Sequence, residues 1–184
     1  SGCNWLGTIQ PKWFNYDDNK KYDVSCMFGW GKENLEYLNN IGEPYSEHRR
    51  ILLESIDNKY KKASLKGGER VSHNVYYNKM FNSKIIIAPI GYGEMAPRDI
   101  ESAAFGSVLI KPDMSYINSK PFVFEDGITY VACKYDWSDI NEKIDFVLDN
   151  YKELQPMFVE NMKKRFIEEY SQEKLALHLY NLFL

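Results

Sequence analysis

Short apolar, β-prone runs alternate with segments of helical periodicity along most of the chain. The clearest run, 84–90, is rich in isoleucine, which predicts a strand covered on both faces, as in a parallel sheet. Tyr22 opens another run that ends at Gly29 and predicts a second buried strand. The predicted strands are 22–29, 63–65, 84–90 and 108–110, with two shorter extended pieces at 122–124 and 129–133.

Helical segments separate these strands and end the chain. Ser46 is a suitable N-cap for the first helix, and Pro97 suits the first turn of a later one. The helix between them is expected to turn Val75, Tyr76 and Met80 inward. The predicted helices are 46–60, 73–82, 97–106, 140–150, 156–170 and 172–183.

This order of elements predicts a three-layer α/β domain that is Rossmann-like, with a parallel sheet of about five or six strands and a helical C-terminus. Residues 1–21 are expected to form an irregular lead or linker, and residues 22–184 the domain itself. Such sheets bind ligands beyond the carboxyl ends of their strands. Glycine loops at 29–31 and 91–93 fall at two such ends, so we expect the site there.

Composition narrows the class of partner. The chain has 184 residues, of which 44% are hydrophobic and 27% charged, as is typical of a globular domain. Its net charge of −3 argues against a nucleic-acid partner, and no apolar run approaches the roughly 18 residues of a membrane span. Three scattered cysteines predict reduced thiols and a cytoplasmic location. No metal-ligand spacing and no Asp-x-Asp occur, so no metal is expected.

The segment 83–111 carries the strongest candidate chemistry. Gly91 and Gly93 allow the backbone to approach a ligand without Cβ obstruction. The helix that opens at Pro97 directs free N–H groups and a positive dipole end toward the same place, which suits a diphosphate. Arg98 adds a planar cation where the helix dipole disfavours one, so an anionic ligand explains it better than the helix does.

Two carboxylates accompany this loop. Glu101 is placed one helical turn further on, where it can accept hydrogen bonds from vicinal hydroxyls such as those of ribose. Glu94, in the loop, can do the same for sugar hydroxyls. The alternative is that Arg98, Asp99 and Glu101 form only a surface charge set.

Residues 98–109 spell R-D-I-E-S-A-A-F-G-S-V-L. This segment resembles the R-x-x-E-A-x-A-x-G-x-x-L block in the donor-binding domain of GT-B glycosyltransferases of the group 1 kind, particularly the spore-protein-like (CgeB-type) members. The resemblance continues through Asp126-Gly127, 140–148 and 161–170, and reaches back weakly to 22–29. It therefore covers roughly residues 20–184.

The resemblance implies a nucleoside-diphosphate sugar as donor substrate and metal-independent transfer to an acceptor hydroxyl, with no cofactor. It assigns the ribose to Glu101 and the region of the transferred sugar to Glu94, although six residues separate the two here and seven are usual. Glu94 and Arg98 would be the catalytic residues, with Arg98 neutralising the departing diphosphate.

A larger set of residues is expected to hold the donor. The segment 70–73 would contact the nucleobase, and 29–32 would face the diphosphate, with Lys32 and Arg49 as candidate cations. The predicted donor-binding residues are Gly29, Lys32, Val71, Gly91, Tyr92, Gly93, Asp99 and Glu101.

A GT-B enzyme needs a second Rossmann-like domain for its acceptor, so we expect an N-terminal acceptor domain outside this chain and no turnover by the chain alone. Two alternatives stay open. One is a nucleotide-binding module without catalysis. The other is a dinucleotide (NAD-type) domain, since Gly91-x-Gly93-x-x-Ala96 matches a loose fingerprint that Asp113 follows. The central position of that match and the short helix after it weaken this second alternative.

Overall fold

Strands and helices alternate along the computed structural model, which describes residues 19–29, 45–65, 70–91, 93–117 and 123–169, together with 177 and 180. In chain order the elements are β1 (Tyr22–Cys26), α1 (Tyr45–Ser55), β2 (Lys62–Ser64), α2 (His73–Phe81), β3 (Ser83–Ile87), α3 (Pro97–Ala104), β4 (Val108–Pro112), β5 (Val131–Cys133), α4 (Ile140–Asp149) and α5 (Tyr151–Glu169).

All five strands of the described sheet run parallel, in the order β2-β1-β3-β4-β5. At the centre, Val24 of β1 pairs with Lys62 on one side and Ile85 on the other. The chain reverses its direction of progress across the sheet between β1 and β3. The helices that follow those two strands, α1 and α3, pack on opposite faces, so the crevice expected of such a sheet lies at the carboxyl ends of β1 and β3.

Helices cover both faces of the sheet. Ile85 and Ile87 join one apolar cluster with α1 and α4, whereas Ile86 joins a second cluster with α2, α3 and part of α5. Successive strand residues point to opposite faces, so a strand buried on both sides needs apolar residues throughout. The predicted three-layer Rossmann-like fold is confirmed.

Several predicted boundaries differ from the structure. Helix α1 ends at Ser55 and not at residue 60, and Tyr60 instead turns inward and donates a hydrogen bond to Asp145. Pro156 lies inside α5, which begins at Tyr151 directly after Asn150. On α2, Met80 is buried as expected, but Val75 is 44% exposed because that helix packs on one side only.

Other predictions concern residues with little or no described structure. Of the extended piece predicted at 122–124, residues 123 and 124 lie outside the strands and residue 122 lies outside the described residues. The piece predicted at 129–133 forms β5 from Val131, and Tyr130 makes an isolated bridge with Asp126. Most of the lead 1–21 and of the predicted helix 172–183 lies outside the described residues. None of the helices in the described ranges has the length and apolarity needed to cross a bilayer.

We predict that Ile85→Ala lowers the free energy of unfolding by about 2–5 kcal/mol, because it leaves a cavity between fully packed layers. Ile51→Ala on α1 is the matched control, since its side chain is 38% exposed whereas that of Ile85 is 0% exposed. Urea denaturation followed by circular dichroism measures both. Equal losses in the two variants would contradict the two-sided burial of β3.

Candidate functional site

The crevice between β1 and β3 is lined at its base by glycine and arginine. Gly29 follows β1, and its carbonyl accepts a hydrogen bond of 2.9 Å from Arg49 Nη1 on α1. Gly91 follows β3, where an added Cβ would lie only 3.1 Å from Arg49 Nη2. The absence of a side chain at residue 91 therefore lets the two loops close around Arg49. Among the residues that the structure describes, no heavy atom lies within 4 Å of a Cβ placed at Gly93.

Two guanidinium groups converge on one buried ring at the end of β1. The Cζ atoms of Arg49 and Arg98 lie 6.0 and 5.5 Å from the centroid of the Phe28 ring. Each cation–π contact stabilises by about 0.5–1 kcal/mol. Both guanidinium groups would also gain from an anion bound in the crevice.

Arg98 also has a buried nitrogen, Nη1, whose hydrogen-bond acceptor is not among the described residues. An arginine cannot lose its charge in a protein, and a buried charged donor without an acceptor is costly. The oxygens of an anionic ligand would supply that acceptor at the N-terminus of α3.

Asp99 lies beneath this surface and not within the crevice. Its Oδ2 accepts hydrogen bonds from Lys111 Nζ at 2.7 Å and from the N–H of Ala96 at 2.8 Å. The side chain of Asp99 is 1% exposed and that of Lys111 is 0% exposed, so the contacts described for Asp99 lie inside the fold, and its contact with a donor stays a prediction. Burial raises the pKa of Asp99, and the charge of Lys111 opposes that shift. Asp99 supports the first turn of α3 from within.

Glu101 belongs to a separate polar pair. Tyr76 on α2 donates a hydrogen bond of 2.8 Å from its hydroxyl to Glu101 Oε2. Glu101 is 6% exposed, and burial raises its pKa, whereas the Tyr76 hydrogen bond and the charge of Arg98 oppose that rise. His73, at the start of α2, also lies close enough to act on Glu101. The carboxylate is thus placed between Arg98 and the segment that leads into α2.

The remaining predicted residues take varied positions. The Glu94 side chain is exposed in the loop before α3, and its backbone oxygen accepts a hydrogen bond from Lys111. Val71 is half-buried against the cluster beneath α2 and α3. Lys32 and Tyr92 lie outside the described residues. The structure therefore brings Gly29, Gly91 and Arg98 together around Arg49 and Phe28.

Sequence analysis did not identify the contacts of three participants, Phe28, Tyr76 and Lys111. Phe28 is only one more apolar residue of a strand run, and Tyr76 was expected inward without a partner. Lys111 had a visible signal, because a lysine at the end of the run VLIK must find a counter-charge if the strand is buried. In the described ranges, no three His, Cys, Asp or Glu side chains are grouped so that they could hold a metal ion.

We predict that Tyr76→Phe destabilises the fold by about 1–3 kcal/mol near neutral pH, because Glu101 loses a buried donor. Burial raises the folded-state pKa of Glu101, so its ionisation opposes folding increasingly as the pH rises, and the Tyr76 hydroxyl offsets part of that penalty. The loss of stability should therefore grow from pH 4 to pH 8 in urea titrations. Tyr77→Phe, at a half-exposed ring on the same helix, is the control. A loss that does not change with pH would contradict an ionised Glu101.

Comparison with known proteins agrees with the fold. No protein-family model and no curated protein matches the chain. Among solved structures, the chain is similar to the crystal structure of TarM, with a TM-score of 0.55 at 15% sequence identity. The similarity covers 92% of this chain and 36% of TarM, so the chain spans about a third of that protein's length. This similarity, at 15% identity, shows the fold alone, an α/β domain with a parallel sheet.

Proposed function

We propose that this chain is the donor-binding domain of a GT-B-type glycosyltransferase and that it binds a nucleoside-diphosphate sugar. The CgeB-type, group 1-like resemblance of residues 98–109 supports this assignment at the level of sequence. The observation that carries it is the buried Nη1 of Arg98, which lacks an acceptor among the described residues beside a second guanidinium group at the sheet reversal. A ligand with closely spaced anionic oxygens answers both features.

In this proposal the diphosphate lies across the 91–93 loop and the first turn of α3. Gly93 leaves room for phosphate oxygens close to the backbone, Gly91 lets Arg49 approach the loop, and the helix N-terminus favours negative charge. Arg98 donates charge-assisted hydrogen bonds, with Arg49 adding positive charge from α1. Gly29 borders the same crevice, and Lys32 and Tyr92 complete the proposed set.

The nucleoside part extends from the diphosphate toward α2. Glu101 accepts hydrogen bonds from the ribose hydroxyls. The Tyr76 hydroxyl holds the carboxylate in place for this contact by donating to its Oε2. The base lies along 70–73, where Val71 offers an apolar surface. The raised pKa of Glu101 is lowered again when a ligand's hydroxyl groups hydrogen-bond to its charged form, so donor binding itself would stabilise the carboxylate.

Transfer breaks the bond between the anomeric carbon and the oxygen of the β-phosphate, and a new bond forms to an acceptor hydroxyl. Negative charge develops on the departing diphosphate, and Arg98 with the α3 N-terminus stabilises it without a metal ion. Glu94, exposed beside this position, orients the sugar. An N-terminal acceptor domain outside this chain binds the acceptor and supplies any general base that takes the hydroxyl proton. The two described cysteines, Cys26 and Cys133, are free, in keeping with a cytoplasmic enzyme.

We predict that Arg98→Ala weakens the binding of a nucleoside diphosphate by about 10-fold to 100-fold, because one charge-assisted contact is worth roughly 1.5–3 kcal/mol. Calorimetric titration with UDP, GDP and ADP, in buffer containing EDTA, measures this and tests metal independence. Arg165→Ala is the control, because Arg165 pairs with Glu125 away from the loops after β1 and β3. Unchanged affinity in Arg98→Ala would remove Arg98 from the site. Tight binding of NAD that is lost in Asp113→Ala would favour a dinucleotide domain instead.

A second experiment isolates the ribose contact. Wild-type protein should bind the preferred nucleoside diphosphate at least about 10-fold more tightly than its 2′,3′-dideoxy analogue, since a site built around hydroxyl groups rejects a ligand that lacks them. Glu101→Ala should weaken the parent compound and leave the dideoxy analogue nearly unchanged, so that the preference disappears. Glu94→Ala serves as the control that keeps it. A preference that survives in Glu101→Ala would place the ribose elsewhere.

A further inference from the structure

Lys111 is a fully buried lysine near the carboxyl end of β4, at the end of the sheet where the proposed site lies. Its side chain is 0% exposed, and its Nζ contacts three different parts of the fold. It donates a hydrogen bond to Asp99 Oδ2 at 2.7 Å and another to the backbone oxygen of Glu94. It also lies 5.5 Å from the centroid of the Phe124 ring.

Stability alone is a poor explanation for this arrangement. Replacing a buried ion pair by apolar groups of similar volume is often neutral or stabilising, because the pair must be taken out of water. Here the pair is also incompletely satisfied, since Asp99 Oδ1 is buried and has no hydrogen-bond partner among the described residues. An apolar strand end would fill the same space without that penalty.

The contacts of Lys111 tie two consecutive segments of the chain to the end of β4. One is the loop after β3, gripped through the carbonyl of Glu94, and the other is the first turn of α3, gripped through Asp99. Asp99 passes the connection back to the loop by accepting from the N–H of Ala96. Together these hydrogen bonds fix the distance between the loop and the start of α3.

We propose that Lys111 is a positioning residue that holds the 93–96 loop against the first turn of α3, so that the diphosphate and the transferred sugar meet both at once. This inference rests on the proposed function of the crevice. It concerns the part of the donor beyond the first phosphate. The nucleoside end, held by Glu101 and 70–73, does not depend on Lys111.

The test compares nucleoside mono- and diphosphates. The double variant Lys111→Met, Asp99→Asn removes both charges and keeps an oxygen at residue 99 for the N–H of Ala96. Titrations use UMP and UDP, GMP and GDP, and AMP and ADP with the full chain. We expect the diphosphate that wild-type protein prefers to lose at least about 10-fold in affinity, while its monophosphate changes less than about twofold. Amide exchange of a peptide covering 93–96 should become faster, with that of β3 unchanged.

Lys84→Met, on the adjacent strand, is the matched control. Lys84 forms a half-buried ion pair of 3.3 Å with Asp23 near the amino ends of β3 and β1, away from the proposed site. Its loss should therefore leave both affinities unchanged. Should the double variant not fold, Asp99→Asn alone carries the test and is expected to show the same split at smaller amplitude.

The measured affinities distinguish failure of this inference from failure of the proposed function. Equal loss for mono- and diphosphate, or wild-type affinity for both, would reduce Lys111 to a structural residue and overturn the inference while leaving the donor site intact. If wild-type protein binds none of the six nucleotides, the proposed function fails and this inference fails with it. A split between mono- and diphosphate affinity supports both.

Discussion

Parallel pairing of β1 with both β2 and β3 is the constraint on which the rest of the structure depends. Parallel neighbours cannot be joined by a tight turn, so each connection must cross a face of the sheet. Because the order is β2-β1-β3-β4-β5, the connections leave β1 and β3 toward opposite faces. The crevice is therefore a consequence of strand order, and its lining is whatever follows those two strands. In this chain that lining is glycine, arginine and the start of a helix.

Electrostatics turns this crevice into a site with a preferred sign of charge. Arginine keeps its charge in any environment, whereas burial raises the pKa of Asp99 and of Glu101. The charged forms of the two carboxylates are thus penalised while the guanidinium of Arg98 stays cationic. Positive charge at the α3 N-terminus adds to this imbalance. The physical expectation is a pocket that gains most from a ligand carrying several anionic oxygens.

Local pattern was sufficient for the fold but not for the partners within it. The apolar run 84–90 indicated a strand buried on both faces, because that environment leaves a mark at every position of the segment. Helix ends were less accessible: α1 stops at Ser55 because Tyr60 is drawn to Asp145 of α4, far away in sequence. Val75 turned outward for a related reason, since a helix pattern does not say which side the sheet will cover.

For the candidate site, the sequence indicated individual residues but not their partners. Gly91, Gly93 and Arg98 were singled out because backbone access and a cation at a helix N-terminus have local signatures, and their role in a site stays a prediction. The burial of Asp99 was not, because it depends on Lys111, twelve residues later and on another element. Tyr76 likewise meets Glu101 only after α2 and α3 have packed on the same face. Pairings across elements are set by tertiary structure, which a single sequence does not reveal.

Helix geometry explains how neighbouring residues in α3 acquire different tasks. Each residue advances about 100° around the axis, so Arg98 and Glu101 lie on nearly the same side while Asp99 points well away from both. That rotation directs Asp99 to the interior, where Lys111 meets it. Glu94 precedes the helix and is not bound by its period. Its backbone oxygen accepts a hydrogen bond from Lys111, the same buried lysine that meets Asp99.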